Sequence, residues 1–416
     1  MRPALFFLFV TLIILSIDFY VWQGVKLLIQ NSAPRTRNWV RWAYWGFTAF
    51  NFLLFFTLRF GFLEDFHRAT LQLLFFLAFA VLVGKIIWMA FLITDDLIRL
   101  VRLLLQNTGV VQAEPGVAEN SVSRLKFLSQ AGALLGAGLI TAMTWGVAKG
   151  AHNYSIRRRA LRLKNLPEAF RGMKIVQISD IHSGSFWSYD AVKRGIDMIL
   201  QERPDVIFFT GDLVNDRADE MEPWKELFGR LKAPMGVYSI LGNHDYGDYV
   251  PWPSAEAKRA NLEQLKQTHA DLGWNLLLNE HRVLTKDGAS IALLGVENWS
   301  NKARFPKYGR LNEAFQGTEA YPVKLLLSHD PSHWKEQVLG KTDIQATFSG
   351  HTHGMQFGVD SRYYRWSPVK YVYKEWMDLY EEQGQYLYVN RGFGYLGYPG
   401  RLGINPEITV FTLETA

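Results

Sequence analysis

Gly350-His351-Thr352-His353-Gly354 is the stretch on which the reading of this chain turns. The apolar run at 344–349 precedes it and reads as a buried strand. Histidines two residues apart at a strand end can aim their imidazoles at neighbouring points, and the flanking glycines let the backbone turn sharply. Alone, one His-x-His is a weak metal signal. It becomes strong only if other strand ends supply carboxylates and further ligands.

They do so repeatedly. The predicted strand at 174–179 runs into Asp180-Ile181-His182, and that at 205–210 into Gly211-Asp212. The strand at 236–241 runs into Gly242-Asn243-His244-Asp245, and that at 322–327 into Ser328-His329-Asp330. Further strands are predicted at 275–278, 282–285, 289–295, 386–390 and 407–413, with helices at 189–202 (capped by Ser188), 219–231 and 254–272. Strand–helix alternation followed by strand-rich sequence predicts an α/β domain, a sheet core with helices outside. Such domains build their sites at the carboxyl ends of strands. Asp and Asn are also common turn formers, so one instance reads as an ordinary turn, but five together do not.

The collected groups are Asp180, His182, Asp212, Asn243, His244, His329, His351 and His353. Oxygen and imidazole donors with no thiolate suit Mn, Fe or Zn, and the chain has no cysteine at all. Eight groups exceed one tetrahedral site. Two metals sharing a bridging carboxylate would use seven, clamp a phosphate and acidify a water. The eighth is left as general acid or electrostatic clamp.

The first 150 residues read differently. Apolar runs at 4–22, 39–58, 71–94 and 127–148 are each long enough to span a bilayer, which predicts a membrane region of four transmembrane helices over 1–150. The chain carries 45 Lys+Arg and 39 Asp+Glu, and the excess of six falls entirely within this region. The balanced remainder argues against nucleic-acid binding. Lys26, Arg35, Arg37 and Arg41 flank the first connection, and Arg99, Arg102, Arg124 and Lys126 the third; the second has only Arg59 and Arg68. This places the following domain on the outer, periplasmic face of the inner membrane. Arg157-Arg158-Arg159, after the last span, speaks against that orientation, while Ser123-Arg124-Leu125-Lys126-Phe127-Leu128 looks like a degraded twin-arginine export signal. Lys85 lies deep in a span and reads as a snorkelling or bundle-facing lysine, or as a functional charge.

In sequence, Asp180-x-His182, Gly211-Asp212, Gly242-Asn243-His244-Asp245, His329 and Gly350-His351-Thr352-His353 resemble the ordered motifs of the calcineurin-like metallophosphoesterase superfamily. Asp180-Ile181-His182-Ser183-Gly184, Leu326-Leu327-Ser328-His329, Gly350-His351-Thr352-His353-Gly354 and Arg391-Gly392 with Pro406-Glu407-Ile408 look most like its membrane-linked bacterial branch. The resemblance implies a metallophosphoesterase β-sandwich flanked by helices over 157–416. It implies one divalent metal on Asp180, His182, Asp212 and His353, and a second on Asp212, Asn243, His329 and His351. A bridging hydroxide would attack phosphorus, with His244 stabilising the phosphoryl group or protonating the leaving oxygen and Asp245 orienting His244. Met355 stands where the family usually has glycine. These features predict a membrane-anchored phosphohydrolase acting on a phosphoester or pyrophosphate bond, with a phosphorylated small-molecule or lipid-linked substrate and the lipid bilayer as partners. A non-catalytic membrane sensor or scaffold is the alternative, and the His244-Asp245 pair speaks against it. Phe186, Trp187, Phe357, Tyr363, Tyr364, Trp366, Tyr371, Tyr373 and Trp376, and the loop at 246–253, offer a rim for a lipid, sugar or base; Arg391 and Arg401 offer phosphate partners or structural ones.

Overall fold

The computed structural model describes residues 3–59, 68–108 and 117–416. It divides into two compact units, Met1–Thr144 and Trp145–Ala416. The four apolar runs of the first unit lie on helices α1 (Pro3–Ile29), α2 (Pro34–Arg59), α3 (Arg68–Asn107) and α4 (Val117–Ala148). Among the described residues, Leu8–Ile29, Leu73–Asn107 and Arg124–His152 are long and apolar enough to cross a membrane. The run at 39–58 falls short of that measure: α2 opens on three arginines and carries Thr48, Asn51 and Thr57 among its aromatics. Lys85 does not snorkel; it faces the bundle interior and pairs with Asp18. The α2–α3 connection, with the side chains of Arg59 and Arg68, lies outside the described residues, as does the side chain of Ser123.

The second unit is built on strands β1 (Ser155–Leu163), β2 (Lys174–Ile178), β3 (Val206–Phe209), β4 (Val237–Ser239), β5 (Asn275–Leu276), β6 (Glu280–Lys286) and β7 (Ala289–Gly295). They continue as β8 (Lys324–Leu327), β9 (Ala346–Ser349), β10 (Val359–Asp360), β11 (Arg365–Trp366), β12 (Asp378–Glu382), β13 (Gln385–Val389) and β14 (Glu407–Thr415). Two six-stranded sheets form among the described residues, ordered β1-β14-β2-β3-β4-β5 and β12-β13-β9-β8-β7-β6. Phe208, Leu293, Leu325, Phe348 and Phe411 fill the layer between them. Helices α5 (Tyr189–Gln201), α6 (Lys225–Phe228), α7 (Ala255–Asp271) and α8 (Leu311–Phe315) complete the unit. Ser188 caps α5 by accepting from the Ala191 N–H, as its sequence predicts. Strands β3, β8 and β9 are buried along their whole length and β2 from Ile175 onward, which explains why they are mostly apolar. Because β2–β3–β4 run parallel, and β8–β9–β13 run parallel, the motif-bearing ends of each sheet lie together at one edge.

At three places the local structure differs from the sequence expectation or adds to it. Arg157-Arg158-Arg159, which follow the last apolar run, are part of edge strand β1, paired along its length with β14. There Arg157 pairs with Asp360, Arg158 with Glu202 and Arg159 with Asp378. The helix expected at 219–231 is a 3₁₀ segment, Ala218–Trp224, followed by the single turn α6, with Pro223 at the break. Strand β12 has no counterpart in the sequence reading.

Candidate metal centre

Five of the seven expected ligands sit on strained backbone. Asp180 (φ 50°), His182 (φ 48°), Asp212 (φ 61°), His351 (φ 72°) and His353 (φ 52°) are all left-handed. Each such residue costs about 1–2 kcal/mol, and strain of this kind collects where side chains must be aimed. Thr352, between the two histidines, is right-handed (φ −80°, ψ −23°), so the loop changes hand twice and the imidazoles diverge. Gly350 is needed for close approach: a Cβ there would lie 1.9 Å from Ser179 Oγ and 2.2 Å from Asp180 Oδ2. Gly242 stands likewise against Asp212, whose Oδ1 would be 2.2 Å from a Cβ.

Two groups of donors result. Asp180, His182 and His353 form one, with His182 Nε2 and His353 Nε2 3.1 Å apart and His353 Nε2 3.2 Å from Asp180 Oδ1. Asp212, His329 and His351 form the other, with His351 Nδ1 3.2 Å from His329 Nε2 and 2.8 Å from Asn243 Oδ1. Asp212 Oδ2 stands between them, 3.5 Å from His182 Nε2 and 3.2 Å from His329 Nε2. Ring nitrogens and carboxylate oxygens converging at these distances fit two divalent cations with nitrogen and oxygen preferences.

Hydrogen bonds fix the orientations. His329 Nδ1 faces the Thr210 carbonyl oxygen at 2.7 Å, which turns Nε2 towards Asp212. His351 Nε2 lies 2.9 Å from Tyr373 OH, which donates to Asp330 Oδ2 at 2.9 Å, freeing Nδ1 for the centre. Outer partners of this kind set the tautomer and aim of a ligating imidazole. The backbone N–H of His351 donates to both Asp180 oxygens at 3.0 Å, and that of His244 to Asp212 Oδ1 at 2.8 Å. Burial opposes ionisation of Asp212, but the charges of His329 and His244 outweigh it and hold its carboxyl well below the usual range. Burial likewise works to lower His329, yet the Asp212 charge pushes it up to about 10. Burial carries His351 down to about 4.

His244 differs from the expectation in how it is held. Its Nδ1 faces the Asn215 carbonyl oxygen at 2.7 Å, which leaves Nε2 as its free nitrogen. Asp245 does not touch that ring; its carboxylate accepts from the N–H groups of Gly242, Asp212, Leu213 and Val214. It ties the two motif loops together, and burial with the neighbouring Asp212 charge pushes it up to about 7.

A cavity of about 510 Å³ opens on these groups. His244 and Tyr249 line one part, their rings 4.5 Å apart, and Tyr249 OH accepts from Asn243 Nδ2 at 2.9 Å. Phe305, Met355, Pro368, Val369, Val372 and Leu396 supply apolar wall, and Arg304 supplies a cation. Sequence reasoning missed Arg304 and Asn215, which lie in no motif, and gave no role to Asp330, which it quoted only as the neighbour of His329. Of the expected aromatic rim, Tyr249 and Tyr373 reach the cavity, whereas Phe186 and Trp376 are packed into the interior. Tyr363 and Tyr371 are exposed. Arg391 is structural, buried against Asp360 and Glu407, and Arg401 donates to the carbonyls of Arg391, Gly392 and Gly394. Met355 is left-handed (φ 55°) and half exposed at the cavity edge.

A family profile described as "Calcineurin-like phosphoesterase" matches residues 173–355, and one described as "Probable Calcineurin-like phosphoesterase, transmembrane domain" matches residues 1–151. The "Uncharacterized metallophosphoesterase YkuE" of Bacillus subtilis is 30% identical over 307 residues, 71% of this chain and 98% of that one. This chain belongs to the calcineurin-like metallophosphoesterases. It is therefore a metal-dependent phosphoesterase, here with a membrane region. Among other metallophosphoesterases, the zebrafish (Danio rerio) "Transmembrane protein with metallophosphoesterase domain" is 27% identical over 321 residues, 75% of this chain and 69% of that protein. The Chlamydia trachomatis "UDP-2,3-diacylglucosamine pyrophosphatase LpxG" is 28% identical over 286 residues, 57% of this chain and 83% of that enzyme.

Proposed function

We propose that this metallophosphoesterase works with two divalent cations and cleaves a phosphoester or pyrophosphate bond in a lipid-linked substrate. The observation that carries the dimetal reading is Asp212 Oδ2, which faces a histidine of each donor group. Asp180, His182 and His353 would hold one cation, Asn243, His329 and His351 the other, and Asp212 would serve both. Bound there, the cations supply Lewis-acid charge to the phosphoryl group and acidify water. His244, held through Nδ1 by the Asn215 carbonyl, presents Nε2 to the phosphoryl or leaving oxygen. Tyr373 and Asp330 hold the His351 ring, and Asp245 holds the loops that carry Asp212 and Asn243.

The cavity's composition supports the lipid part of the reading. Arg304 offers one charge for a head group, and Phe305, Val369, Val372 and Leu396 an apolar wall for acyl carbon. Similarity to an enzyme named for a diacylated nucleotide-sugar pyrophosphate agrees with it. We assign four membrane crossings, with α2 as the second, and an outward-facing catalytic domain, from the lysines and arginines flanking the first and third connections. A single cysteine placed in this cysteine-free chain and probed from outside intact cells tests the side.

The substrate test offers purified full-length chain with Mn²⁺ a UDP-linked diacylated sugar, a phosphatidic acid and a phosphodiester lipid, each beside its deacylated counterpart. We expect kcat/KM at least tenfold higher for an acylated member, and a drop on Arg304→Ala. Equal rates with and without acyl chains would overturn the lipid assignment.

A further inference from the structure

The membrane unit carries a second polar site that phosphoester chemistry does not use. Asp18 in α1 is 1% exposed and Lys85 in α3 9% exposed, and Lys85 Nζ donates to Asp18 Oδ1 at 2.5 Å. Thr48 Oγ1, in α2, donates to Asp18 Oδ2 at 2.7 Å, and Tyr44 OH donates to the Asp18 carbonyl oxygen at 2.8 Å. The Tyr44 ring lies 4.5 Å from Lys85 Nζ. An ion pair costs more to bury than apolar residues of the same volume, and ionisable groups inside spans mark function by default.

Beside the pair is a cavity of about 230 Å³. Ile14, Phe55, Phe75, Phe79 and Leu82 wall it, with Asp18, Lys85 and Asn51 as its polar lining. Asp18 meets Thr48 while Trp22 meets Tyr44, so α1 and α2 run antiparallel. Ile14 and Phe55 therefore lie to the same side of the ion pair, and the cavity runs from it towards the start of α1 and the end of α2. Asn51 is 7% exposed, and among the described residues no partner reaches its Oδ1. Lys85 gives one N–H to Asp18, and an ammonium carries three. The polar end thus offers an occupant one acceptor, Asn51 Oδ1, and the ammonium N–H groups that Asp18 does not take, with the charges already cancelled.

We propose that this cavity binds a neutral amphipathic molecule, an apolar chain or ring that ends in a single hydroxyl group. The hydroxyl donates to Asn51 Oδ1 and accepts from Lys85 Nζ, both through one oxygen. A phosphate or carboxylate head is mismatched, because Asp18 already neutralises Lys85 and a second anion would be buried without a counter-charge. An apolar cavity of about 150 Å³ holds benzene, so this one takes an occupant on the order of ten carbons. The site lies wholly within the membrane unit and does not depend on the phosphoesterase reading.

The test uses full-length chain in detergent and a photoreactive diazirine analogue of 1-decanol, with crosslinks mapped by mass spectrometry. Crosslinks should concentrate at residues 14–18, 51–55 and 75–85. Unlabelled 1-decanol should compete at least tenfold better than decyl methyl ether, decane or decanoate. Asn51→Leu, which keeps the shape and removes the acceptor, should weaken labelling about tenfold. Ala78→Phe, which fills the slot from a wall residue 4% exposed, should abolish it. Both variants should keep wild-type turnover of a soluble phosphodiester, which reports the fold. Crosslinks spread evenly over all helices, equal competition by the ether, or wild-type labelling in Asn51→Leu would each overturn the proposal; the ether comparison needs no variant.

Discussion

Replacing Gly350 by alanine tests whether the centre depends on close backbone approach. The new Cβ would stand 1.9 Å from Ser179 Oγ and 2.2 Å from Asp180 Oδ2, each over 1 Å short of the 3.4 Å at which ordinary contact begins. Neither neighbour has room to retreat. Ser179 and Asp180 are fully buried, and both Asp180 oxygens accept from the His351 N–H at 3.0 Å. Overpacking a rigid interior costs about 1–3 kcal/mol. If that cost falls on metal binding, it corresponds to roughly a 5- to 150-fold loss of affinity. Equilibrium dialysis with Mn²⁺ measures the affinity, and thermal unfolding in chelator separates it from loss of fold. We expect at least fivefold weaker binding, with a chelated unfolding midpoint a few degrees lower at most. Wild-type affinity together with a wild-type midpoint would refute the claim that the glycine is there to let Asp180 approach.

Other outcomes follow from the same geometry. His244→Ala should lower kcat about 10²–10⁴-fold with metal content unchanged, because the ring is held by the Asn215 carbonyl and lies outside both donor groups; kcat beside elemental analysis checks it. His269 is fully buried, neither ring nitrogen has a partner among the described residues, and burial lowers it to about 3. The unfolded chain therefore binds a proton below about pH 6.5 that the folded chain refuses, and stability is lost as pH falls towards 3 by about 1.4 kcal/mol per unit. His269→Leu should flatten that dependence in urea titrations between pH 4 and 6.5. Met355→Gly relieves a left-handed side chain (φ 55°) and should leave stability unchanged or raise it by about 1 kcal/mol. The same change removes apolar wall and should raise KM for acylated substrates in steady-state assays.

Motif-bearing strand ends were legible because chemistry and topology coincide there. Asp180, Asp212, Asn243, His329 and His351 each follow a short apolar run, and parallel pairing brings those ends to common edges. What sequence could not show was which atoms hold the ligands in place. The Asn215 and Thr210 partners are backbone carbonyls, which carry no residue signature. Tyr373 looked like one aromatic among many, and its role appears only when its hydroxyl is seen between His351 and Asp330. Arg304 lies in a loop remote in sequence from every motif, so only the cavity reveals it. Strand β1 was hidden by its arginines, whose acidic partners Asp360, Glu202 and Asp378 lie from 44 to 219 residues away. Lys85 was legible as an anomaly, but Asp18 as its partner depends on how α1 and α3 pack.

Metal content measured together with turnover decides whether Asp212 is shared by two catalytic cations. Full-length wild type and Asp212→Asn, purified in detergent, are analysed for metal per chain and assayed on a generic phosphodiester with Mn²⁺. A two-cation centre sharing Asp212 predicts about two ions per chain and clear turnover in the wild type. In Asp212→Asn, where the shared carboxylate becomes an amide, it predicts loss of at least one ion and background turnover. An active wild type with one ion, a fully loaded wild type without turnover, or an Asp212→Asn chain that keeps both ions and its activity would contradict it.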